Sequence, residues 1–554
     1  MNLARPADGR TRRELPPLLA GLVLATLFAA GLWFLLLQLK SSANFYDEGL
    51  ILLNAERITL GELPYRDYWT LYSPGYFYLL AGAFELAGPN MLVARYLDIA
   101  LRLLLTLEVY LLARRLAGRW AALIPWAFVT LWLGTIRFYS YPAFPATAAI
   151  LLVVLLLQRY FAGGSRPRLW LALAGAAVGL TALLRLDFGG YVGVAAAAGV
   201  AAYELRRASA GGPSRRARLA ALARAEAVLV AAALITALPL YAYLAVQAGF
   251  STLWQDLIVF PATTFRAARY LPVPAPIPDF ASLSGPQRED WARLYVPILT
   301  YAAALIGAAY GLLRRDEGAA QRVPRAALYL TLSGAGLGLV VKATSRYHEL
   351  HALPTAIVAV VLATALLHRL SGRGRRSGAL SLGLTGLALL LLFNPYVRHF
   401  TDMLDQSAAY KPAGCYSQIP RAGCIPLAPD QEQAVLALQR RAAADEYIYV
   451  GVHRHDKLFA NDVLFYFLAG RRPATKYTEL HPGLANTLPV QQEIVDELQA
   501  KDVRWIVTYQ IWDSNEPNTS AESTGVVLLD DYIRQRYRAT VTLGGYQIWE
   551  RRGG

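Results

Sequence analysis

A polytopic α-helical membrane protein with about eleven transmembrane helices, followed by a C-terminal extracytoplasmic α/β domain, is the fold class this sequence predicts. Three observations carry that reading. Over 554 residues, 55% are hydrophobic, more than an ordinary soluble chain of this length carries. Apolar runs of about 20 residues recur as far as position 395, each close to the length that crosses a bilayer as a helix. The formal charge of +15 is gathered in short segments between those runs, not spread over one soluble face.

The first run, at about 17–38, follows a polar, basic N-terminal stretch. It exceeds the core of a typical signal peptide, so a retained helix is expected. Further spans are read at about 92–113, 120–136, 143–160, 169–184 and 188–204, then at 227–248, 294–313, 326–343, 352–368 and 378–395. Basic clusters at Arg10 to Arg13, Arg114 to Arg119, Arg166 to Arg168, Arg206 to Arg224 and Arg369 to Arg376 fall on one side of this scheme. The positive-inside rule makes that side cytoplasmic, with anionic lipid as the partner of the charge. A nucleic-acid surface is excluded, because no aromatic-interleaved basic stripe accompanies the arginines.

On the same scheme Asp47, Arg137, Arg185, Asp187, the 249–292 loop and everything after 396 lie outside. The segment Arg185-Leu186-Asp187-Phe188-Gly189-Gly190 either tops a tight helical hairpin or lies within one long bent span. Two external loops are too long to be turns. The first, about 39–91, mixes apolar and aromatic residues in a way that suits short helices at the membrane interface. The second, 249–292, carries Pro272, Pro274, Pro276 and Pro278, which argue against regular structure around them. It reads either as a mobile cover over a substrate entrance or as a passive connector.

After Asn394 the composition turns polar. The segments 447–452 and 505–509 read as strands, and 431–444 and 490–500 as helices, an alternation that suggests a small α/β domain. The expected division is therefore 1–395 in the membrane and 396–554 outside. The only cysteines, Cys415 and Cys424, lie nine positions apart in the second part. Two isolated thiols make no structural zinc site, and outside the cytoplasm a disulfide between them is expected.

Asp47 and Glu48 follow the first span at the membrane edge, where a carboxylate is expensive to keep without a task. Position alone leaves two readings equal: a functional acid, or a charged start to the following helix. The surrounding string shifts the balance. Asp47-Glu48-Gly49, Ala55-Glu56-Arg57, Gly61-Glu62-Leu63-Pro64-Tyr65-Arg66-Asp67-Tyr68-Trp69 and Ser73-Pro74-Gly75 resemble the first external loop of glycosyltransferase family 39. That family includes protein O-mannosyltransferases and lipid A aminoarabinose transferases. The resemblance covers about 40–395.

It implies a GT-C fold, a polyprenyl-phosphate-linked sugar as donor, a hydroxyl acceptor, and Asp47 as general base. Glu48 would then orient an acceptor or a metal, or be structural. Lys342-Ala343-Thr344-Ser345-Arg346-Tyr347-His348, at the external end of the ninth span, would supply cations to the leaving phosphate, with Arg346 foremost. Arg66, Asp67, Tyr72, Arg137 and Tyr347 complete the candidate substrate contacts. The segment after the third span, Arg137-Phe138-Tyr139-Ser140-Tyr141-Pro142, lacks the second acid of many relatives, which puts a two-acid mechanism in doubt. Ser73 stands where aminoarabinose transferases hold a lysine, so their specificity does not carry over. Arg185 and Asp187 are expected to form a structural ion pair.

Neither the 348–351 nor the 453–456 histidine cluster has metalloenzyme spacing, and a divalent ion stays open only because some GT-C enzymes use one. The enzyme reading competes with a transporter or flippase of lipid-linked sugars. A third reading is a non-enzymatic envelope assembly protein. A transporter would keep charge near the bilayer midplane, on broken helices in matched halves.

Overall fold

In the computed structural model, residues 16–137, 139–207, 214–314, 318–372, 378–393, 405 and 407–553 are described. The clusters at 10–13 and 373–376 lie outside them. The membrane part consists of α1 (Pro17–Leu36), α2 (Asp47–Thr59), α3 (Gly75–Ala87), α4 (Met91–Ala117), α5 (Leu123–Thr135), α6 (Ala143–Phe161), α7 (Pro167–Leu184) and α8 (Leu186–Arg207). It continues with α9 (Arg215–Ala248), α10 (Phe250–Trp254), a π-helical turn (Gln255–Val259), α11 (Phe260–Ala262), α12 (Thr264–Arg269), α13 (Gly285–Leu313), α14 (Ala319–Ser345), α15 (Glu349–Gly372) and α16 (Gly378–Phe393).

Among the described residues, eight helices are long and apolar enough to cross a membrane: α1, α6, α7, α8, α9, α13, α14 and α15. The remaining three expected spans also appear as helices. α5 and α16 are shorter apolar helices, and α4 carries Arg95, Asp98, Arg102 and Glu108 along its length. Residues 169–204 form a tight hairpin: α7 stops at Leu184, Arg185 is extended at φ −153°, and α8 begins at Leu186. Close helix approach comes from small residues. A side chain at Gly175 or Gly179 would meet a backbone oxygen of α9 at 2.3 or 2.4 Å, so a small-xxx-small stripe lets α7 and α9 touch.

The C-terminal part is an α/β unit with a five-stranded sheet in the order β2-β1-β3-β5-β4. The strands are β1 (Tyr447–Val452), β2 (Arg472–Pro473), β3 (Trp505–Tyr509), β4 (Tyr537–Leu543) and β5 (Tyr546–Arg551). β1 runs parallel to β2 and β3, and β5 runs antiparallel to β3 and β4. β1 and β3 are almost wholly buried, as central strands covered on both faces should be. Four helices flank the sheet: α17 (Pro429–Gln439), α18 (Leu464–Ala469), α19 (Leu488–Ala500) and α20 (Leu528–Arg536).

One expectation fails at the join. α2 does not lie on a lipid interface; ten of its residues are buried, because the C-terminal unit covers it. Gly49 is the contact point: a side chain there would come within 2.3 Å of the Leu464 backbone nitrogen, which itself donates to the Phe45 carbonyl at 2.9 Å. Arg421 holds Glu56 at 2.5 Å, Lys40 donates to the Gly423 carbonyl at 2.9 Å, and Trp69 takes a backbone bond from its amide to Lys476 at 3.0 Å. The first loop is thereby sandwiched between the helical bundle and the sheet. Cys415 and Cys424 are joined as a disulfide within the segment that makes these contacts.

Candidate active site

The start of α2 sets the site. Asn44 Oδ1 accepts from the amides of Tyr46 and Asp47 at 3.0 and 2.8 Å, a side-chain turn that begins the helix and presents two acids in its first turn. Successive helical residues point about 100° apart, so the two acids meet different surroundings. Glu48 turns inward. Arg95 on α4 grips it through Nε to Oε1 at 2.7 Å and Nη2 to Oε2 at 2.9 Å, with both side chains fully buried. Of the roles expected for Glu48, the structural one has a partner here: the side chain is held by Arg95 and does not line the cavity beside its neighbour.

Asp47 is half-buried and lines a cavity of about 450 Å³. Burial pushes its carboxyl up to about 6, against the pull of Arg269, Arg346 and the Asn44 side chain. At neutral pH the group is thus mostly ionised, yet poised to accept a proton. The same cavity receives Arg185 from the α7–α8 turn, Arg266 and Arg269 from α12, Lys342 from α14, and Arg346 and His348 from the α14–α15 link. These positions lie at the same end of α7, α8, α14 and α15, opposite the basic connections at 114–119 and 166–168 and the basic start of α9 at 215–224.

The cations are held differently. Arg185 forms the expected pair with Asp187, Nη2 to Oδ2 at 2.7 Å, and both residues line the cavity. Arg346 spends both terminal nitrogens on Glu516 of the C-terminal unit, at 2.7 and 2.6 Å, and donates to the Arg269 carbonyl at 2.9 Å. Arg269, 6% exposed, lies over the Phe459 ring and donates from Nη2 to the Phe459 carbonyl at 2.6 Å. Its Nη1 is buried with no hydrogen-bond partner among the described residues, an orphaned donor of the kind an anionic ligand satisfies. Burial lowers the Arg269 pKa from its ordinary value and that of His348 likewise.

Behind Asp47 lies a neutral floor. Tyr46 and His481 share a hydrogen bond of 3.0 Å, and burial pushes His481 well below the usual histidine range. Burial also raises Glu479 to about 8, so this carboxyl is protonated at neutral pH and adds no charge competing with Asp47.

Of the remaining sequence candidates, Tyr72, Lys342 and His348 line the cavity with Asp47. Arg137 lines an adjoining cavity, also about 450 Å³, which shares Asn44, Phe45, His348 and Leu350 with the first. Arg66 and Asp67 do not reach either cavity; they pair with each other at 2.7 Å near the surface, beside Gln247. Tyr347 turns away as well and donates to the Asp290 carbonyl at 2.5 Å. Ser73 accepts from the Leu186 amide at 2.8 Å and so ties the first loop to the α7–α8 turn.

The sequence reading missed Arg266, Arg269, His481, Trp512 and Glu516. The arginines had a signal: two cations three residues apart in a loop assigned to the external side run against the positive-inside tendency. Among the described residues, no three His, Cys, Asp or Glu side chains gather as a metal-binding group.

Solved structures resemble this architecture. The archaeal oligosaccharyltransferase AglB from Archaeoglobus fulgidus, in complex with an inhibitory peptide and a dolichol-phosphate, is 12% identical; the match covers 88% of this chain and 70% of that one, with a TM-score of 0.51. ArnT from Cupriavidus metallidurans bound to undecaprenyl phosphate is 14% identical over 96% of this chain and 98% of that one, with a TM-score of 0.50. No protein-family model and no curated protein matches the sequence. The likeness to both is one of fold and spans most of this chain.

Proposed function

We infer that this membrane protein is a glycosyltransferase that moves a sugar from a polyprenyl-phosphate donor to a hydroxyl acceptor at the outer face of the membrane. The observation that carries the reading is a cavity lined at once by Asp47 and by Arg269, Lys342 and Arg346. The similarity in fold to proteins bound to dolichol-phosphate and undecaprenyl phosphate supports the choice of donor.

Each group then has a task. The acceptor hydroxyl loses its proton to Asp47 as its oxygen bonds to the anomeric carbon. The bond from that carbon to the phosphate oxygen breaks, and polyprenyl phosphate leaves with the electron pair. Charge growing on the phosphate is met by the orphaned Arg269 Nη1 and by Lys342 and Arg346, donors set in place before the reaction begins. In this reading residues 1–395 form the transmembrane catalytic module and 396–554 an extracytoplasmic domain. The placement of the basic connections at the opposite helix ends supports that orientation. The charged groups that line the cavity sit at one end of the bundle, which favours an enzyme over a transporter.

Purified protein given undecaprenyl phosphate carrying a labelled sugar tests the reading. Label should pass to an acceptor in the wild type and not in Asp47→Asn.

A further inference from the structure

Resting on the proposed sugar transfer, we propose that the acceptor is itself a saccharide, and that Trp512 of the C-terminal unit is the platform on which its sugar ring stacks. Trp512 lines the Asp47 cavity with its indole 57% exposed. A lone exposed aromatic means little on a protein surface. This one is braced from behind: Phe45 meets it edge-on at 6.0 Å and 89°, and Phe459 at 5.9 Å. Phe45 is itself fixed by the bond from the Leu464 amide, and it lies two residues before Asp47. The platform and the base therefore share one rigid support.

The chain around the platform is also held in place. Segment 510–522 carries only one short 3-10 turn, at Thr519–Ala521, yet Glu516 is bound by Arg346, Asn518 donates to the Tyr270 carbonyl at 3.0 Å, and the Ser514 and Ser520 hydroxyls meet at 2.7 Å. Preorganisation of this kind lowers the entropy lost when a ligand docks.

What lies beyond the platform selects the ligand chemistry. Arg266 lines both the Asp47 cavity and an open groove of about 680 Å³, which also presents Tyr270, Glu516, Asn518, Thr519 and Glu522. Carboxylates beside the cation disfavour a second phosphate-rich ligand, and polar groups alternate along the lining with Ala267, Pro517 and Ala521. A saccharide offers what this surface takes: an apolar C–H face for the indole, and hydroxyls that both donate and accept for the mixed groups of the groove.

The test uses the full-length protein in nanodiscs, with undecaprenyl phosphate carrying a radiolabelled hexose as donor. A panel of defined oligosaccharides, an unstructured serine- and threonine-rich polypeptide, and a hydroxylated lipid are offered as acceptors. Label is expected to pass to an oligosaccharide. Trp512→Ala should raise the acceptor KM about tenfold or more, in line with the loss of one stacked ring, and should raise it further than it raises the donor KM. Trp512→Phe, which keeps a ring, should recover most of the loss. Transfer to the polypeptide or lipid instead of any saccharide, or an unaltered acceptor KM in Trp512→Ala, would overturn the inference while leaving sugar transfer standing. Failure of the wild type to bind or turn over the donor would remove the parent reading, and this one with it.

Discussion

Arg95 holds both carboxylate oxygens of Glu48 at 2.7 and 2.9 Å in a fully buried ion pair, one residue away from Asp47. The pair anchors the first turn of α2 to α4 and so fixes the direction in which Asp47 points. Arg95 also donates to the carbonyls of Leu39 and Ser41 at 2.8 and 2.7 Å, which binds the chain leaving α1 to the same centre.

Removing one member leaves a buried charge without its partner. Glu48→Gln and Arg95→Met should therefore each destabilise the protein by about 3–5 kcal/mol, read as a fall in Tm in detergent. Residual activity should track the folded fraction, because Glu48 is spent on Arg95 and does not line the cavity. Normal stability with lost turnover in Glu48→Gln would reverse that assignment.

Glu516 occupies both terminal nitrogens of Arg346, so a donor phosphate must share or displace that carboxylate. Burial raises the Glu516 carboxyl, but the bonds from Arg346 and Asn518 outweigh it and leave the group below its ordinary range, hence ionised at neutral pH. Glu516→Gln should lower the donor KM several-fold by freeing the fork, and Arg346→Ala should raise it, both measured with undecaprenyl-phosphate-linked sugar. A raised KM in both variants would mean that Glu516 orients Arg346 and does not compete.

The Cys415–Cys424 bridge closes the segment whose Gly423 packs against Asn90 and Leu92 and accepts from Lys40. Cys415→Ser should lower stability by about 2–3 kcal/mol, the scale for a short closed loop. Mass mapping of protein taken from native membranes without reductant should recover the two cysteines in one linked peptide.

The side of the membrane can be read from two exposed positions. With the native cysteines paired, Gln492→Cys should react with a membrane-impermeant maleimide in intact cells, whereas Ser214→Cys should react only after permeabilisation. Labelling of both from outside would contradict the proposed orientation.

How far the sequence showed the fold depends on whether a signal was local. Eleven apolar runs reappear as helices, and 447–452 and 505–509 as central strands, because hydrophobic length and continuity are written residue by residue. The β4–β5 hairpin went unread, although Gly544-Gly545 between Leu543 and Tyr546 is a recognisable two-residue turn, because β4 alternates largely exposed residues and buries little. α2 was placed on the lipid surface because nothing near it announces that α18, more than 400 residues later, will cover it. The same limit governs the site. Asp47 stood out through its own string, but the partner that holds Glu48 is on α4, and Arg269 and Trp512 reach the cavity only through tertiary packing.

The central claim is that Asp47 is the base, and the direct measurement is turnover of labelled undecaprenyl-phosphate sugar by wild type and Asp47→Asn across pH, with donor binding and Tm measured in parallel. With the carboxyl at about 6, the wild-type rate should fall as pH drops through that value and the base becomes protonated. The stability effect has the opposite sense: a carboxyl raised above its unfolded value favours the fold while protonated, and that contribution is lost as pH rises through about 6. Asp47→Asn should consequently be no less stable than wild type at pH 7, bind donor normally, and lose roughly 10²–10⁴-fold in turnover. Near-wild-type transfer by Asp47→Asn, or a wild-type rate that does not fall below pH 6, would contradict the account.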